Sequence, residues 1–390
     1  MKTAVAYLSA PIAPNAAERL SEDIVRGLEG ARADLLVLFA SPHFLEELDT
    51  LVEELAERIP AQSFIGVTGE AVVAGPNELE GQAAIVLWAA SMPGVRARSF
   101  HLLRDDVMRM DRGAAVEEAL GVSAASQPNF ILFGDPYSFP IGDFLDRLRP
   151  TYAGRPAVGG MASAGEAPHQ NALVFDGQVL HSGMVGVALT GNVRMDTIVS
   201  QGCRPIGRHL VVTQAENNII RQIGGRKPIE VVNELLAQSS PREIELMKER
   251  GLLLGFVINE QQAKFGVGDF LIRNPLGIDQ DSGALVINDR IRVGQTIQFH
   301  VRDASSASQD LSEMLQPAAE RPHAGALLFT CNGRGTRLFP RPHHDARALV
   351  STCHTPAVAG FFCAGEIGPV GGENHVHGFT ASIALFSPAE

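Results

Sequence analysis

Apolar runs of strand length alternate with amphipathic helical stretches along most of this chain, the layout of a layered α/β protein. Residues 34–40 (DLLVLFA) form a continuous apolar run suited to a buried strand. Ser41-Pro42 then gives an N-cap and first-turn proline signal. Leu45, Leu48, Leu51, Val52, Leu55 and Ile59 follow at helical spacing, up to Pro60. Three β-type runs come next, SFIGVTGEAVVAG, QAAIVLWAAS and RARSFHLL, with no room for helices between them. Such short connections join antiparallel neighbours, so the pattern predicts an α/β (α+β) fold of mixed β-sheets flanked by helices.

The same order recurs. Residues 129–134 (NFILFG) precede a helical pattern around Phe144, Leu145 and Leu148, and residues 325–330 (GALLFT) precede one from Ala346 to Val350. Phe39, Phe133 and Phe329 mark strand ends 94 and 196 residues apart. The pairs Gly69-Glu70, Gly165-Glu166 and Gly365-Glu366 stand 96 and 200 apart. Because the longer gap is near twice the shorter, the spacing predicts a fourth, degenerate copy around Gly268-Asp269. The expected organisation is two domains, 1–195 and 196–390, each of two related strand–helix–Gly-Glu–strand units, with the boundary near Asn192 to Gly207. Two more helices are expected, Ile229 to Leu236, and Pro241 to Arg250 capped by Ser240.

Composition narrows the class. A chain of 390 residues, 45% hydrophobic and 19% charged, can build its cores without a disulfide framework. A net charge of −12 with no Lys/Arg cluster argues against nucleic acid and anionic membranes as partners. No long apolar run suits a bilayer-spanning helix. The opening residues MKTAVAYLSAPIAPNAA read as a first strand, Thr3 to Leu8, in preference to a signal peptide. Four cysteines fit a reducing compartment, so the expected location is the cytoplasm.

The chemistry gathers late in the chain. CNGRG, Cys331 to Gly335, follows the GALLFT run, and strand ends are where α/β proteins place ligands. Gly333 and Gly335 free the backbone, and Arg334 offers a planar fork for a carboxylate or phosphate. No Lys-Ser/Thr follows at the required spacing, so this is not a P-loop. Glu366 stands amid a density of His343, His344, Asp345, Cys353, His354, Cys363, His375 and His377. His375 and His377 would share one face of a strand. Yet no C-x-x-C or H-E-x-x-H spacing occurs, and no metal is expected. Asp345 also suits the N-cap of the helix at Ala346. A Cys331 thiolate beside Arg334, with His377 or His354, would make a nucleophile pair. Ligand binding and Cys- or metal-dependent catalysis both stay open on this reading, and no residue is assigned a catalytic role.

The segments CNGRGTRLF, His344 to Ala346 (HDA) and Pro356 to Phe386 (PAVAGFFCAGEIGPVGGENHVHGFTASIALF) resemble the C-terminal half of FIST-domain proteins. VGGMASAGE and GMVGVALTG resemble their N-terminal half. The likeness covers most of the chain and is looser before about Asn129. It implies a stand-alone sensory protein of FIST N-terminal and C-terminal domains that binds a small ligand, an amino acid or similar zwitterion, without catalysis. On that reading Arg334 pairs a carboxylate, Glu366 or Asp345 pairs an ammonium, and Cys331, Asn332, Asn374, His377 and Thr380 complete the site. Opposite charges at two ends of a pocket are what a zwitterion requires, because a buried charge without a partner is costly. A branch of the family is described as binding haem and sensing nitric oxide, so a haem-dependent gas sensor is the second reading and haem the candidate cofactor. Output is expected to pass through a separate signalling protein or a change of homo-oligomeric state.

Overall fold

The structure, a computed structural model, describes residues 1–9, 15–111, 113–262, 264–266, 268–355 and 357–389. Residues 10–14 of the opening segment and Pro356 of the C-terminal motif lie outside them. Among the described residues, nine α-helices accompany three six-stranded sheets and one seven-stranded sheet. The chain divides into two compact units, one of Met1–Val199, Ser312–Val376 and Thr380–Glu390, the other of Ser200–Leu311 and His377–Phe379. Among the described residues, no helix is long and apolar enough to cross a membrane.

The first unit is built from three copies of one plan. In each, a central strand pairs in parallel with the strand that follows its helix: Leu35–Ala40 with Ser63–Thr68, Asn129–Gly134 with Ala157–Met161, and Gly325–Cys331 with Val358–Cys363. The crossover helices are Leu48–Arg58, Ile141–Thr151 and His344–Cys353. On its other side each central strand takes an antiparallel neighbour, Ile85–Ser91, Met184–Gly191 or Thr380–Ser387. The central strands are buried along their whole length. A strand covered on both faces has no polar side to present, which is why each reads as an unbroken apolar run.

Each copy also sends out a short hairpin, and the three hairpins are exchanged in a closed ring. Val72–Ala74 of the first copy pairs with Val358–Cys363 of the third, and Leu173–Phe175 of the second with Ser63–Thr68 of the first. Glu366–Val370 of the third pairs with Ala157–Met161 of the second. Register makes Val72, Leu173 and Glu366 equivalent, opposite Phe361, Val67 and Gly160. Those three pair in turn with Phe329, Phe39 and Phe133. The three marker phenylalanines meet, with ring centroids 5.6, 6.4 and 5.8 Å apart, the spacing of favourable edge contacts. The periodicity in the sequence therefore marks the packing centre of this unit. A glycine precedes each partner position. A Cβ on Gly159 would stand 1.9 Å from the Leu132 carbonyl oxygen, and one on Gly360 would stand 1.8 Å from that of Leu328. The backbones approach this closely only because no side chain intervenes.

The doubled gap before the third copy has a cause other than a fourth repeat. The second unit, Ser200–Leu311 with His377–Phe379, occupies it. Its strands Cys203–Glu216, Leu252–Val257, Phe270–Arg273 and Thr296–Arg302 pair antiparallel. Three related segments thus fall in the first compact unit. The second unit's helices Pro228–Gln238 and Pro241–Arg250 stand where expected. Ser240 forms a capping box with Glu243: the hydroxyl accepts from the Glu243 amide at 3.3 Å, and the Glu243 carboxylate accepts from the Ser240 amide at 2.8 Å. Ser41 stands at the N-cap of the short 3-10 helix Pro42–Phe44, with Pro42 in its first turn, but makes no side-chain cap bond. Its hydroxyl accepts from the Ala84 amide at 2.9 Å, and the α-helix begins only at Leu48. The Gly-Glu pairs are not equivalent either, for only Glu366 takes a core position in its hairpin strand.

Candidate functional site

The third central strand ends at Cys331, and the loop that follows turns Arg334 inward. Its guanidinium is 0% exposed. Nε and Nη2 donate to Oδ2 and Oδ1 of Asp345 at 2.6 and 2.8 Å, a bidentate pair. Thr330 Oγ1 donates to Asp345 Oδ2 at 2.8 Å, and His344 Nδ1 lies 2.9 Å from Oδ1. The His344 ring stacks on Phe339, whose face also lies 5.2 Å from the guanidinium carbon. Burial disfavours a charged Asp345, but the Arg334 charge and the hydrogen bonds from Arg334 and His344 prevail and hold it well below the usual carboxylate range. One nitrogen is left over. Arg334 Nη1 is buried with no hydrogen-bond partner.

Two further carboxyls reach the same centre. Glu78 arrives on the exchanged hairpin strand Asn77–Leu79. Its Oε1 accepts from the Asp345 and Ala346 amides, both at 2.9 Å, in the first turn of the helix His344–Cys353. Those amides are donors a helix cannot satisfy internally. Oε2 is buried without a partner. Burial and the Asp345 charge push the Glu78 pKa up to about 7.

Glu366 fills the position that the other two copies give to Val72 and Leu173, and it is 0% exposed. Thr380 donates to its Oε2 from the amide at 3.0 Å and from the hydroxyl at 2.9 Å, while Oε1 has no partner. Burial pushes this carboxyl up to about 8, against the pull of Thr380, the Arg334 charge and the Cys331 thiol. One guanidinium nitrogen and two carboxyl oxygens thus stand unsatisfied in a single electrostatically linked cluster. Buried polar atoms nearly always find partners. Chemically the set offers a hydrogen-bond donor at Nη1 and acceptors at the carboxyl oxygens.

The remaining residues singled out in the sequence divide. The Cys331 sulfur accepts from the Gly333 amide at 3.4 Å and belongs to the cluster. Asn332 enters mainly through its backbone, donating to the Cys363 carbonyl at 2.9 Å and accepting from Arg337 at 2.8 Å. Asn374 commits its amide to the Ala157 amide and the Arg155 carbonyl, where it fastens the start of the strand Ala157–Met161. His377 falls in the second unit. Asp345, read as an ammonium partner or N-cap, is taken up by Arg334 inside the helix's first turn. Glu78 was missed altogether. Its contact with Asp345 spans 267 residues, and the run NELE that carries it has no motif.

Among the described residues no group of three or more His, Cys, Asp or Glu side chains is arranged to hold a metal ion. Haem asks for an axial side chain beside an apolar slot. One cavity of the first unit, about 500 Å³, is lined by Gln62, Arg96, Ala97, Arg98, Ser99, Phe175 and Asp176, with no histidine. Another, about 440 Å³, holds His323 among Arg194, Arg321 and Glu320, but the Ala318 carbonyl engages its Nε2 at 2.9 Å. Neither cavity fits haem.

Fold and site define a class: a repeated α/β frame with a buried, charged and incompletely satisfied centre. Residues 34–226 match the FIST N domain and residues 228–369 the FIST C domain, and the chain belongs to the FIST family. It is similar to an uncharacterized protein of Mycobacterium tuberculosis, 39% identical over 389 residues, covering 99% of this chain and 100% of that one. An uncharacterized protein of Mycobacterium bovis is 38% identical over 389 residues, covering 99% of each.

Proposed function

We propose that this protein is a sensory module that binds a small zwitterion, an amino acid or a close relative, and performs no chemistry on it. The observation that carries this reading is the trio of buried atoms without partners, Arg334 Nη1, Glu78 Oε2 and Glu366 Oε1. Arg334 Nη1 would donate to the ligand carboxylate, and the two carboxyl oxygens would accept from its ammonium. Asp345 already balances the Arg334 charge, so without ligand the site is neutral when Glu366 and Glu78 are both protonated. An incoming ammonium then takes the place of the Glu366 proton. Output passes to a separate signalling protein or through a change of homo-oligomeric state, in the cytoplasm.

The test is thermal unfolding of the full chain with each standard amino acid and with short peptides. A ligand at 100 times its Kd adds about 2.7 kcal/mol and raises the Tm. Because the ionised form of Glu366 is the binding form, affinity should fall as the pH drops below about 8, approaching tenfold per pH unit. A Tm unmoved by every zwitterion, at acid and alkaline pH alike, removes the reading.

A further inference from the structure

We infer that Cys331 and Cys363 form a thiol redox pair that is oxidised by a small hydroperoxide and closes to an intramolecular disulfide. This goes beyond ligand sensing and does not depend on it. The two cysteines are direct register partners on adjacent parallel strands, and each is the last residue of its strand. Directly opposed side chains of neighbouring strands point to the same face, with backbones about 4.8 Å apart. That spacing lies within the ~4.4–6.8 Å Cα range a disulfide spans. Both strands end at these residues.

The surroundings give the two sulfurs different roles. Cys331 receives the Gly333 amide at 3.4 Å, and the Arg334 and Arg337 charges both act on it. An amide donor and two guanidinium groups thus surround the Cys331 sulfur, whose thiolate is the form that attacks. Cys363 is fully buried against Gly160. Burial, Glu366 and Cys331 keep it a thiol, and it is placed to resolve what Cys331 becomes. The other two cysteines have no cysteine as strand partner: Cys203 stands opposite Arg302, and Cys353 ends the helix His344–Cys353, where burial pushes its thiol up to about 11.

The chemistry balances with the hydroperoxide as the oxidant. The Cys331 sulfur attacks the terminal peroxide oxygen; an S–O bond forms and the O–O bond breaks. The sulfur loses two electrons and becomes a sulfenic acid, and the peroxide is reduced to an alcohol. The proton from the Cys331 thiol ends on the departing alkoxide, with the adjacent Glu366 carboxyl as its carrier. Arg334 Nη1 is a free donor for the peroxide oxygens. The Cys363 sulfur then displaces the sulfenic oxygen, which leaves as water with the Cys363 proton, and the S–S bond forms.

The test is thiol mapping by mass spectrometry on the full chain treated with one equivalent of hydrogen peroxide. The expected result is a loss of two hydrogens from the intact chain, with the Cys331 and Cys363 peptides linked and Cys203 and Cys353 still reduced. Cys363→Ser should stop at a sulfenic acid on Cys331 that dimedone captures, and Cys353→Ser should leave the link unchanged. Oxidation that begins at Cys203 or Cys353, or a link between two chains, overturns the inference. The wild-type map decides even where a variant fails to fold. A disulfide without any Tm response to zwitterions keeps this inference and removes the ligand reading; a Tm response without the disulfide does the reverse.

Discussion

At the scale of single residues, the molecule holds a charge where a core would ordinarily be apolar. Arg334 and Asp345 are both buried, and each is the compensation for the other. Asp345→Asn keeps the shape and removes the charge, so it leaves an uncompensated guanidinium. It should destabilise the fold by about 3–5 kcal/mol, read from urea unfolding midpoints. Glu366 and Glu78 act in the opposite sense. Their pKa values rise from 4.5 to about 8 and about 7 on folding, so the folded state binds more protons than the unfolded one. Stability from these groups is full below 4.5 and is lost as pH climbs through 7 and 8. Unfolding free energy should therefore fall across this window, by up to about 1.4 kcal/mol per pH unit for each group. Glu366→Gln should flatten much of that slope, and an unchanged slope in the variant would show that Glu366 ionises freely. Arg334, Glu366 and Thr380 were legible because CNGRG and the Glu366-to-Thr380 segment concentrate unusual residues at strand ends. Asn374 and His377 share that segment, but alternation along a two-stranded hairpin sends neighbours to different surroundings, and composition cannot tell which.

Among the elements, the strands of the three copies were legible and the exchange of the hairpins was not. A central strand buried on both faces leaves a run of five or six apolar residues, too short for an ordinary helix and bounded by turn residues. The hairpin strands Val72–Ala74 and Leu173–Phe175 have three residues each, too short for a pattern. Their exchange is fixed by pairing between distant segments. Glu78 rides on one of them, which is why the site's third carboxyl left no trace in the sequence. Gly360 carries the sharpest expectation at this scale. An added Cβ would sit 1.8 Å from a backbone oxygen, and a backbone atom cannot swing aside as a side chain can. Gly360→Ala should part the two parallel strands and lower stability more than Phe329→Ala, for which loss of a buried ring costs about 3–5 kcal/mol. Comparable midpoints for the two variants would mean that the strands relax around the methyl group.

For the whole molecule, the instructive feature is the insertion. Spacing alone cannot separate a further copy from an unrelated segment of similar length, which is why the doubled gap predicts a copy where the second unit stands. Cys203 and Arg302 are antiparallel register partners, so the insert leaves and returns at neighbouring points. Replacing residues 204–301 by an Asn-Gly turn should close that hairpin and leave the first unit able to fold, with cooperative thermal unfolding and near-UV circular dichroism retained. Loss of cooperativity would show that the three-copy unit needs its insert.

The unsatisfied centre is itself a statement about the folded chain in its cell. Native mass spectrometry of the full-length protein purified from its own source reads it out. The expected spectrum is the chain plus one small molecule, with the adduct lost in Glu366→Gln. A bare chain, still bare after saturation with amino acids at alkaline pH, would mean that Arg334, Glu78 and Glu366 close on nothing.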